Sequence, residues 1–424
     1  MSLGGQLANQ LAKMGHVEER AAIDNPAFTA DVQALAHAVG LAIDPPVTDP
    51  LALDALPESM PQEGIGPDAA IDLVAQIARP ESSSLRDPPA ASRMATPTPW
   101  LTWAAAVWAA ARSENLLHKA DTPQVNALQD RVVDWLAPLW GMETGHLVPG
   151  GTIANLTALG AARDGAGATT IVTSEAASVS VKKISRVLGM PLILIDSDPD
   201  ERINLDALID FARRDPDGMS RTVVVLTAGT QNTGAIDPLK DAMKGLAHLG
   251  LSPAWWHVDA SWAGPLAFSS RYRGLLKGID DADSVTVSTH KLMFQPTESA
   301  LVLFRNAVRS DAVLEFAGPD NTTQIGLLGS RSDRSLAIAL LLLAYGQDGL
   351  ASWLETGIGN MMTVAEALHG RDDVEVFNSP TSGVLLWRPL LKDTDDVLAQ
   401  LGATVAGLGL ADGRHWVRQV GSNP

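Results

Sequence analysis

The chain contains no cysteine, which excludes disulfides, thiolate catalysis and cysteine-ligated zinc sites together. Basic residues are also few, since 31 Lys and Arg stand against 49 Asp and Glu, for a net charge of −18. That balance argues against a broad surface for nucleic acid or anionic lipid. The longest apolar runs, residues 100–111 and 336–345, are far shorter than the roughly 20 residues that cross a bilayer. No secretory leader pattern opens the sequence, so we expect a cytoplasmic protein without nucleic-acid or membrane partners.

The composition of the chain indicates a folded protein with a sizeable core. Of 424 residues, 46% are hydrophobic and 19% charged, which is enough for one large domain and a smaller one. Two proline-rich stretches, residues 44–67 and 79–99, interrupt the N-terminal part, because proline lacks the donor that helices and sheets need. Helices are predicted over residues 29–40 and 68–77. The predicted domains are an N-terminal arm with linkers at 1–99, a large domain at 100–330 and a small C-terminal domain at 331–424.

Short β runs alternate with helical patterns from residue 100 onward. Strands are predicted over residues 170–173, 192–196, 222–227, 254–258, 284–288 and 300–304. Helices are predicted over residues 100–113, 125–140, 153–163, 179–188, 205–213, 238–249, 335–345 and 363–369, followed by a short β/α segment. Such alternation with continuous apolar strands is typical of an α/β fold with a mainly parallel sheet between helices. Ligands bind beyond the carboxyl ends of such strands, so the chemistry is expected in those loops.

Three of those loops carry unusual residues. The first reads PGGTIAN at residues 149–155, immediately before an apolar helix. Its glycines expose backbone N–H groups and Thr152 adds a hydroxyl, which together suit an anion at a helix N-terminus. An ordinary capped turn explains this loop equally well when it is taken alone.

The other two loops end neighbouring predicted strands with a carboxylate and an amine. Asp259, in WHVDASW, needs a cation beside it to stay charged, either a protonated heteroaromatic nitrogen or an arginine from a neighbouring helix. For a lone aspartate the arginine is the better explanation. Lys291 closes the next strand in STHK, where desolvation lowers the pKa of a lysine and makes it nucleophilic towards carbonyls. A solvated loop lysine is the alternative.

The order of the three loops is more specific than any one of them. An anion loop, a strand-end aspartate and a strand-end lysine suit the phosphate, ring nitrogen and aldehyde of pyridoxal phosphate. The chain resembles the pyridoxal-phosphate-dependent group II amino-acid decarboxylases in five stretches between residues 148 and 350. These are VPGGTIANLTALGAARD, SVSVKKISRVLGM, LTAGTQNTGAIDPL, WHVDASWAGPLAFSSRYRGLLKGIDDADSVTVSTHK and GSRSDRSLAIALLLLAYGQDGL.

The resemblance implies a fold, a cofactor and roles for individual residues. The fold is the aspartate-aminotransferase type, or fold type I, with a mainly parallel seven-stranded sheet, an N-terminal helical arm and a small C-terminal α/β domain. Lys291 would form the Schiff base with pyridoxal 5'-phosphate, and Asp259 would hold the ring nitrogen protonated. Thr230 would lie near the ring. Gly151 and Thr152 would bind the phosphate, and His290 would contact the phosphate region. The further cofactor-binding candidates are Gly150, Asn155, on the helix that this loop begins, and Ser288.

A homodimer with shared active sites is also implied by the resemblance. Gly329 and Ser330 match a segment that reaches the phosphate of the neighbouring subunit, and the N-terminal arm would wrap that subunit. Arg331 is a candidate partner for a substrate carboxylate, with a solvated arginine at a helix start as an equal alternative. The nine histidines show no HExxH or clustered spacing, so no metal is predicted.

Two departures from the family concern the reaction. Ser178 stands where the family carries a histidine that stacks on the cofactor ring, and serine offers neither a π face nor a titratable group. His118 or His146 could fill that space. Residues 292–328 contain no tyrosine, although the family's decarboxylases present one there to protonate the carbanion.

These departures leave several functions open. Decarboxylation of an L-amino acid by Lys291, Asp259, His290 and Ser178, with Lys291 or water as the acid, is the first hypothesis. Another carbon–carbon lyase or other Cα chemistry, such as aldehyde formation or a specialised biosynthetic step, is the second. A non-catalytic decarboxylase-like subunit is less favoured, because it has no need of the Asp259 and Lys291 pair. A plain nucleotide-binding protein is disfavoured by the lack of a Walker or dinucleotide motif. The substrate is not set by the sequence.

Overall fold

The computed structural model describes residues 56–57, 60–77, 91–94, 96–112, 114–118, 120–307, 309, 325–402 and 405–422. It divides the chain into two units, Met1–Pro89 and Ala90–Pro424. In the first unit, residues 67–77 form a helix, close to the predicted 68–77. The helix predicted over 29–40 lies outside the described residues, and the division into three domains stays a prediction.

Helices and strands alternate through the second unit. The α-helices, counted from the first unit, are α1 Pro67–Ile77, α2 Trp100–Arg112, α3 Pro123–Leu136, α4 Gly150–Ala166, α5 Val179–Leu188, α6 Leu205–Arg214, α7 Pro216–Met219, α8 Leu239–His248, α9 Ser335–His369 and α10 Thr394–Leu401. The strands of the large sheet are β1 Thr144–Val148, β2 Thr170–Ser174, β3 Leu192–Ile195, β4 Thr222–Thr227, β5 Trp255–Asp259, β6 Ser284–Val287 and β7 Ala300–Phe304. Those of the small sheet are β8 Val374–Val376, β9 Val384–Pro389, β10 Gly407–Ala411 and β11 Arg414–Val420.

The large sheet has seven strands in the order β1-β7-β6-β5-β4-β2-β3. Strand β7 is antiparallel to both of its neighbours, and every other pair in this sheet is parallel. The prediction of a mainly parallel seven-stranded sheet is therefore confirmed. The small sheet is antiparallel, in the order β10-β11-β9-β8.

Both faces of the large sheet are covered. Because side chains alternate along a strand, Val223 and Val225 of β4 enter one core cluster while Val224 and Leu226 enter the other. Helices α4 and α5 supply the first of these clusters, and helices such as α3, α6 and α8 supply the second. The continuous apolar strands of the sequence are thus explained by burial on both sides.

Helix α4 and strand β1 differ from the sequence prediction. Helix α4 begins at Gly150 rather than at residue 153, so the glycine motif forms its first turn instead of a loop before it. Strand β1 has no counterpart among the individually predicted strands, because Gly145 and His146 interrupt its apolar pattern. Gly145 is required there, since a Cβ atom would lie 2.3 Å from the carbonyl oxygen of Val302.

Helix α9 joins the two helices predicted over 335–345 and 363–369. Gly346 interrupts it with φ 64° and ψ −174°, which glycine adopts without strain. By length and composition alone α9 is apolar enough to cross a membrane, a test that core helices of soluble proteins also pass. Here it packs against α2, α3 and β8. The absence of a membrane partner stays a prediction.

Candidate active site

A cavity of about 430 Å³ lies where the carboxyl ends of β4, β5 and β6 meet the start of α4. Its volume falls within the roughly 300–1,000 Å³ of small-molecule and cofactor sites. The cavity brings together most of the residues predicted from the sequence, namely Gly150, Gly151, Thr152, Asn155, Ser178, Thr230, Asp259, Ser288, His290 and Lys291.

The first turn of α4 forms an anion cradle in this cavity. No side chain caps the N-terminus of the helix, and Gly150, Gly151 and Thr152 of its first turn line the cavity. A Cβ atom at Gly151 would lie 2.7 Å from Ser261 Oγ and 3.0 Å from Ser288 Oγ. Glycine therefore lets two hydroxyl groups approach the helix end closely. The arrangement suits a phosphate.

Asp259 is buried at the last position of β5, paired with Thr227 on one side and Thr286 on the other. Its Oδ1 accepts a hydrogen bond from the Ser261 backbone N–H at 3.1 Å, and its Oδ2 accepts one from Asn155 Nδ2 at 2.8 Å. Within the described residues no arginine forms an ion pair with Asp259, so the arginine partner considered from the sequence is not found there. A cationic ring nitrogen fits this position.

Lys291 and His290 follow β6 on the same side of the cavity. Lys291 is half-buried, and burial lowers the pKa of its ammonium group against the opposing effect of the Asp259 charge. His290 Nδ1 lies 2.8 Å from the Ser299 carbonyl oxygen, which can only accept, so Nδ1 carries the proton. Burial, and to a smaller extent Lys291, lowers the pKa of His290. A neutral His290 therefore presents Nε2 as a hydrogen-bond acceptor or as a base.

Ser178 has a local structural contact as well as a place in the cavity wall. It is the N-cap of α5, and its Oγ accepts hydrogen bonds from the Ser180 backbone N–H at 3.2 Å and the Ser180 hydroxyl at 3.0 Å. Neither His118 nor His146 lines the cavity. His146 instead lies on β1, with its ring 6.3 Å from that of Phe304.

Thr230 lines the cavity and lies in a turn that is stabilised by hydrogen bonds to Glu201. Glu201 Oε2 accepts from the Thr233 hydroxyl at 3.0 Å, and Oε1 accepts from Asn232 Nδ2 at 3.1 Å. The hydroxyls of Thr230 and Thr233 lie 2.8 Å apart. The sequence carries no local signal for Glu201, because its contacts reach about thirty residues along the chain.

Gly329, Ser330 and Arg331 lie apart from the other predicted residues. Ser330 and Arg331 line a second cavity of about 650 Å³. Asn115 Nδ2 donates to the Ser330 hydroxyl, and the Arg331 backbone N–H donates to Asn115 Oδ1. A role in the neighbouring subunit for Gly329 and Ser330, and a substrate role for Arg331, stay predictions.

Several lining residues were missed by the sequence analysis. Arg93, Gln231, Ser261 and Arg418 line the cavity, and Arg418 reaches it from β11 of the small sheet. Only the three-dimensional structure brings these segments together. Ser261 could have been suspected from its place two residues after Asp259. Among the described residues no cluster of His, Asp or Glu could hold a metal ion, and the absence of a metal stays a prediction.

Comparison with known proteins places these features in one family. The sequence model of the pyridoxal-dependent decarboxylase conserved domain matches residues 50–388. An L-2,4-diaminobutyrate decarboxylase of Rhizobium meliloti (strain 1021) is 30% identical over 78% of this chain and 71% of that protein. An aspartate 1-decarboxylase of Aliivibrio fischeri (strain ATCC 700601 / ES114) is 29% identical over 60% of this chain and 52% of that protein.

A solved structure has the same fold. It is the glutamate decarboxylase domain of a diaminobutyrate-pyruvate transaminase and L-2,4-diaminobutyrate decarboxylase from Vibrio parahaemolyticus. The likeness has a TM-score of 0.80 at 21% sequence identity and covers 94% of this chain and 91% of that one. The fold type I prediction is thereby confirmed.

The cavity also fits the cofactor of this family. The uncapped start of α4 suits its phosphate, Asp259 suits its ring nitrogen, and Lys291 suits its aldehyde. The family's domain matches most of the chain, from residue 50 to residue 388. The chain therefore belongs to the group II pyridoxal-dependent decarboxylases, which are pyridoxal-phosphate-dependent lyases.

Proposed function

We propose that this chain removes the α-carboxylate of an L-amino acid, with Lys291 as its Schiff-base lysine. One observation carries the proposal. A single cavity contains an uncapped helix N-terminus, a buried carboxylate and a half-buried lysine. The spacing of these groups along the chain alone does not require that they meet.

The chemistry divides between the cofactor and the protein. When bound, pyridoxal phosphate supplies an electron sink for the electron pair left at Cα when a bond there breaks. Lys291 supplies an amine whose lowered pKa increases its uncharged, nucleophilic fraction. The negative charge of Asp259 would keep the ring nitrogen protonated, and its two oxygens are oriented for this role by Ser261 and Asn155. Lys291 Nζ, or water, returns a proton to Cα.

Charge in the cavity supports binding of a carboxylate as well as a phosphate. Its lining includes one acidic side chain, Asp259, and three basic ones, Arg93, Lys291 and Arg418. Arg418 donates to the carbonyl oxygens of Gln231 at 2.9 Å and Ser92 at 3.1 Å, so its guanidinium is held in place. We assign Arg418 to the α-carboxylate of the substrate. This positive pocket persists although the whole chain carries −18.

We assign the substrate to a class, the L-amino acids, and not to a particular side chain. The two relatives compared above are named for diaminobutyrate and aspartate, whose side chains carry opposite charges. Family likeness therefore does not select one side chain. We further propose a cytoplasmic homodimer in which Gly329 and Ser330 reach the partner's cofactor phosphate.

Product analysis tests the proposed reaction. Purified protein with added pyridoxal phosphate is incubated with acidic, basic and aromatic L-amino acids, and carbon dioxide and amine are measured together. Equal amounts of both are expected from at least one substrate. Lys291→Ala is expected to abolish both products, while Lys183→Ala, at an exposed position on α5, is expected to leave them unchanged. Cofactor binding without carbon dioxide from any substrate would contradict the proposal.

A second reaction, other Cα chemistry such as aldehyde formation, is favoured by one observation. The cavity wall has Ser178 in place of a stacking imidazole, and residues 292–328 contain no tyrosine to protonate Cα. Carbon dioxide released without an equal amount of amine, in the same product analysis, would select this reaction over simple decarboxylation.

A further inference from the structure

A chain of buried hydrogen bonds runs from the core of the sheet to Asp259. Trp255 Nε1 donates to Ser284 Oγ at 2.8 Å, and Ser284 Oγ lies 2.8 Å from His257 Nδ1. On the other side of the ring, His257 Nε2 lies 3.0 Å from Asn155 Oδ1, and Asn155 Nδ2 donates to Asp259 Oδ2 at 2.8 Å. All five side chains are buried.

The Asp259 end of this chain sets the direction of its hydrogen bonds as far as His257, and the Trp255 end is compatible with that direction. The indole N–H of Trp255 can only donate, so the Ser284 oxygen accepts from it and its own proton is available for His257 Nδ1. The Asp259 carboxylate can only accept, so the amide NH₂ of Asn155 faces it and the amide oxygen faces His257.

Of the two neutral forms of His257, only the one with its proton on Nε2 satisfies both neighbours. The other neutral tautomer would direct a lone pair at the oxygen of Asn155. The imidazolium form is disfavoured because burial lowers the pKa of His257 to about 4, against the opposing effects of the Asp259 charge and of a hydrogen bond to the Ser284 backbone. The facing residues Asn155 on α4, Ser284 on β6 and Val225 on β4 carry no charge.

We infer that His257 is a positioning residue for the ring-binding carboxylate. In its neutral Nε2–H form it holds the Asn155 amide so that the NH₂ group orients Asp259 Oδ2, while the Ser261 N–H orients Oδ1. The importance of this orientation for cofactor binding rests on the proposed role of Asp259. The hydrogen-bond chain itself is a property of the protein alone.

Nitrogen NMR of histidine-labelled apoprotein tests the tautomer without any cofactor. The His257 signal, assigned by its loss in His257→Gln, is expected to show a protonated Nε2 and an unprotonated Nδ1 near neutral pH. Trp255→Phe removes the outermost donor and is expected to leave the same tautomer, because Ser284 keeps its proton to donate. A protonated Nδ1 in the wild-type apoprotein would overturn the inference, whatever reaction the protein catalyses.

Cofactor affinity tests the consequence for Asp259. His257→Gln keeps an N–H donor at the place of Nε2, whereas His257→Leu fills similar space without one. The leucine variant is expected to bind pyridoxal phosphate roughly tenfold more weakly than wild type, the effect of one disturbed hydrogen bond to a charged group. The glutamine variant is expected to recover most of that loss. Equal losses in the two variants would overturn the inference.

A double-mutant cycle separates orientation of Asp259 from general damage to the fold. If His257 acts through Asp259, then His257→Leu is expected to lose most of its effect on affinity in an Asp259→Asn background. The same loss in both backgrounds would contradict the inference. Failure of wild-type protein to bind the cofactor would instead contradict the proposed function, and the tautomer measurement would still stand.

Discussion

Ser178 caps helix α5 and also lines the cavity, so one hydroxyl has both a structural contact and a place beside the reacting molecule. Its cap bonds to Ser180 explain why serine suits this position in the fold. They do not supply the ring face or proton transfer of the histidine that the family carries there. We therefore expect the choice of reaction to be sensitive to this position.

Exchange of Ser178 separates these two roles. Ser178→His and Ser178→Ala both remove the cap, and each is expected to lower the free energy of unfolding by about 1 kcal/mol. Only the histidine variant is expected to raise kcat for amine formation and to add an ionisation near a pH of about 6.5 to the rate profile. Urea unfolding and pH–rate measurements check this prediction. Indistinguishable rate profiles for the two variants would show that position 178 does not influence the reaction.

Single residues were predictable from the sequence where a local pattern marked them. Asp259 ends β5 and Lys291 lies in the turn that follows β6, and the parallel pairing of these strands brings their ends to one edge of the sheet. Glu201 and Arg418 lie far along the chain from the loops they contact, so no local pattern marks them. The sequence could also have predicted that His257 lies on the same face of the strand as Asp259, because alternate residues of a strand share a face and His257 precedes Asp259 by two positions.

At the scale of an element, the start of α4 is the part of the fold that most directly forms the site. Gly151→Ala would place a Cβ atom 2.7 Å from Ser261 Oγ, so the hydroxyls of the cradle must move. We expect pyridoxal phosphate to bind about tenfold more weakly, the loss of one hydrogen bond to a charged group. Titration of the apoprotein with cofactor measures the change.

Gly160 provides the matched control on the same helix. A Cβ atom there meets nothing within 4 Å, so Gly160→Ala is expected to leave cofactor affinity unchanged. It is expected to raise the free energy of unfolding by up to about 1 kcal/mol, because alanine is the better helix former. Equal affinities for the two alanine variants would contradict the proposed phosphate cradle.

Elements were predicted well where burial explains their composition. The strands predicted over 222–227 and 300–304 coincide with β4 and β7, which are buried throughout. Neither the antiparallel direction of β7 nor its pairing with β1 follows from periodicity, because an apolar strand looks the same in both directions. The kink at Gly346 falls where the helix predicted over 335–345 ends, whereas the helix that follows it begins well before the predicted residue 363.

At the scale of the whole molecule, His257 links stability to pH. Its pKa is about 4 in the folded protein and near 6.5 in an unfolded chain, so between these values the unfolded state binds more protons. The contribution of His257 to the free energy of unfolding is therefore lost as the pH falls from about 6.5 to about 4. Asp259 is the charged group that opposes the shift.

The His257→Gln variant lacks this dependence. Relative to wild type, its free energy of unfolding is expected to increase by about 3 kcal/mol as the pH falls across that window, because only wild type loses the contribution of His257. Carboxylates that titrate in the same range are present in both proteins and cancel in the difference. Urea unfolding at several pH values from 4 to 7 measures it. A difference independent of pH would contradict the buried neutral state of His257.

The claim that Lys291 carries the cofactor joins the fold, the cavity and the proposed reaction. Its most direct test is borohydride reduction of the holoprotein, followed by peptide mass spectrometry to locate the attached cofactor. The account predicts attachment at Lys291, and no attachment in Lys291→Arg although its fold is retained. Attachment at another lysine, or undiminished attachment in Lys291→Arg, would contradict it.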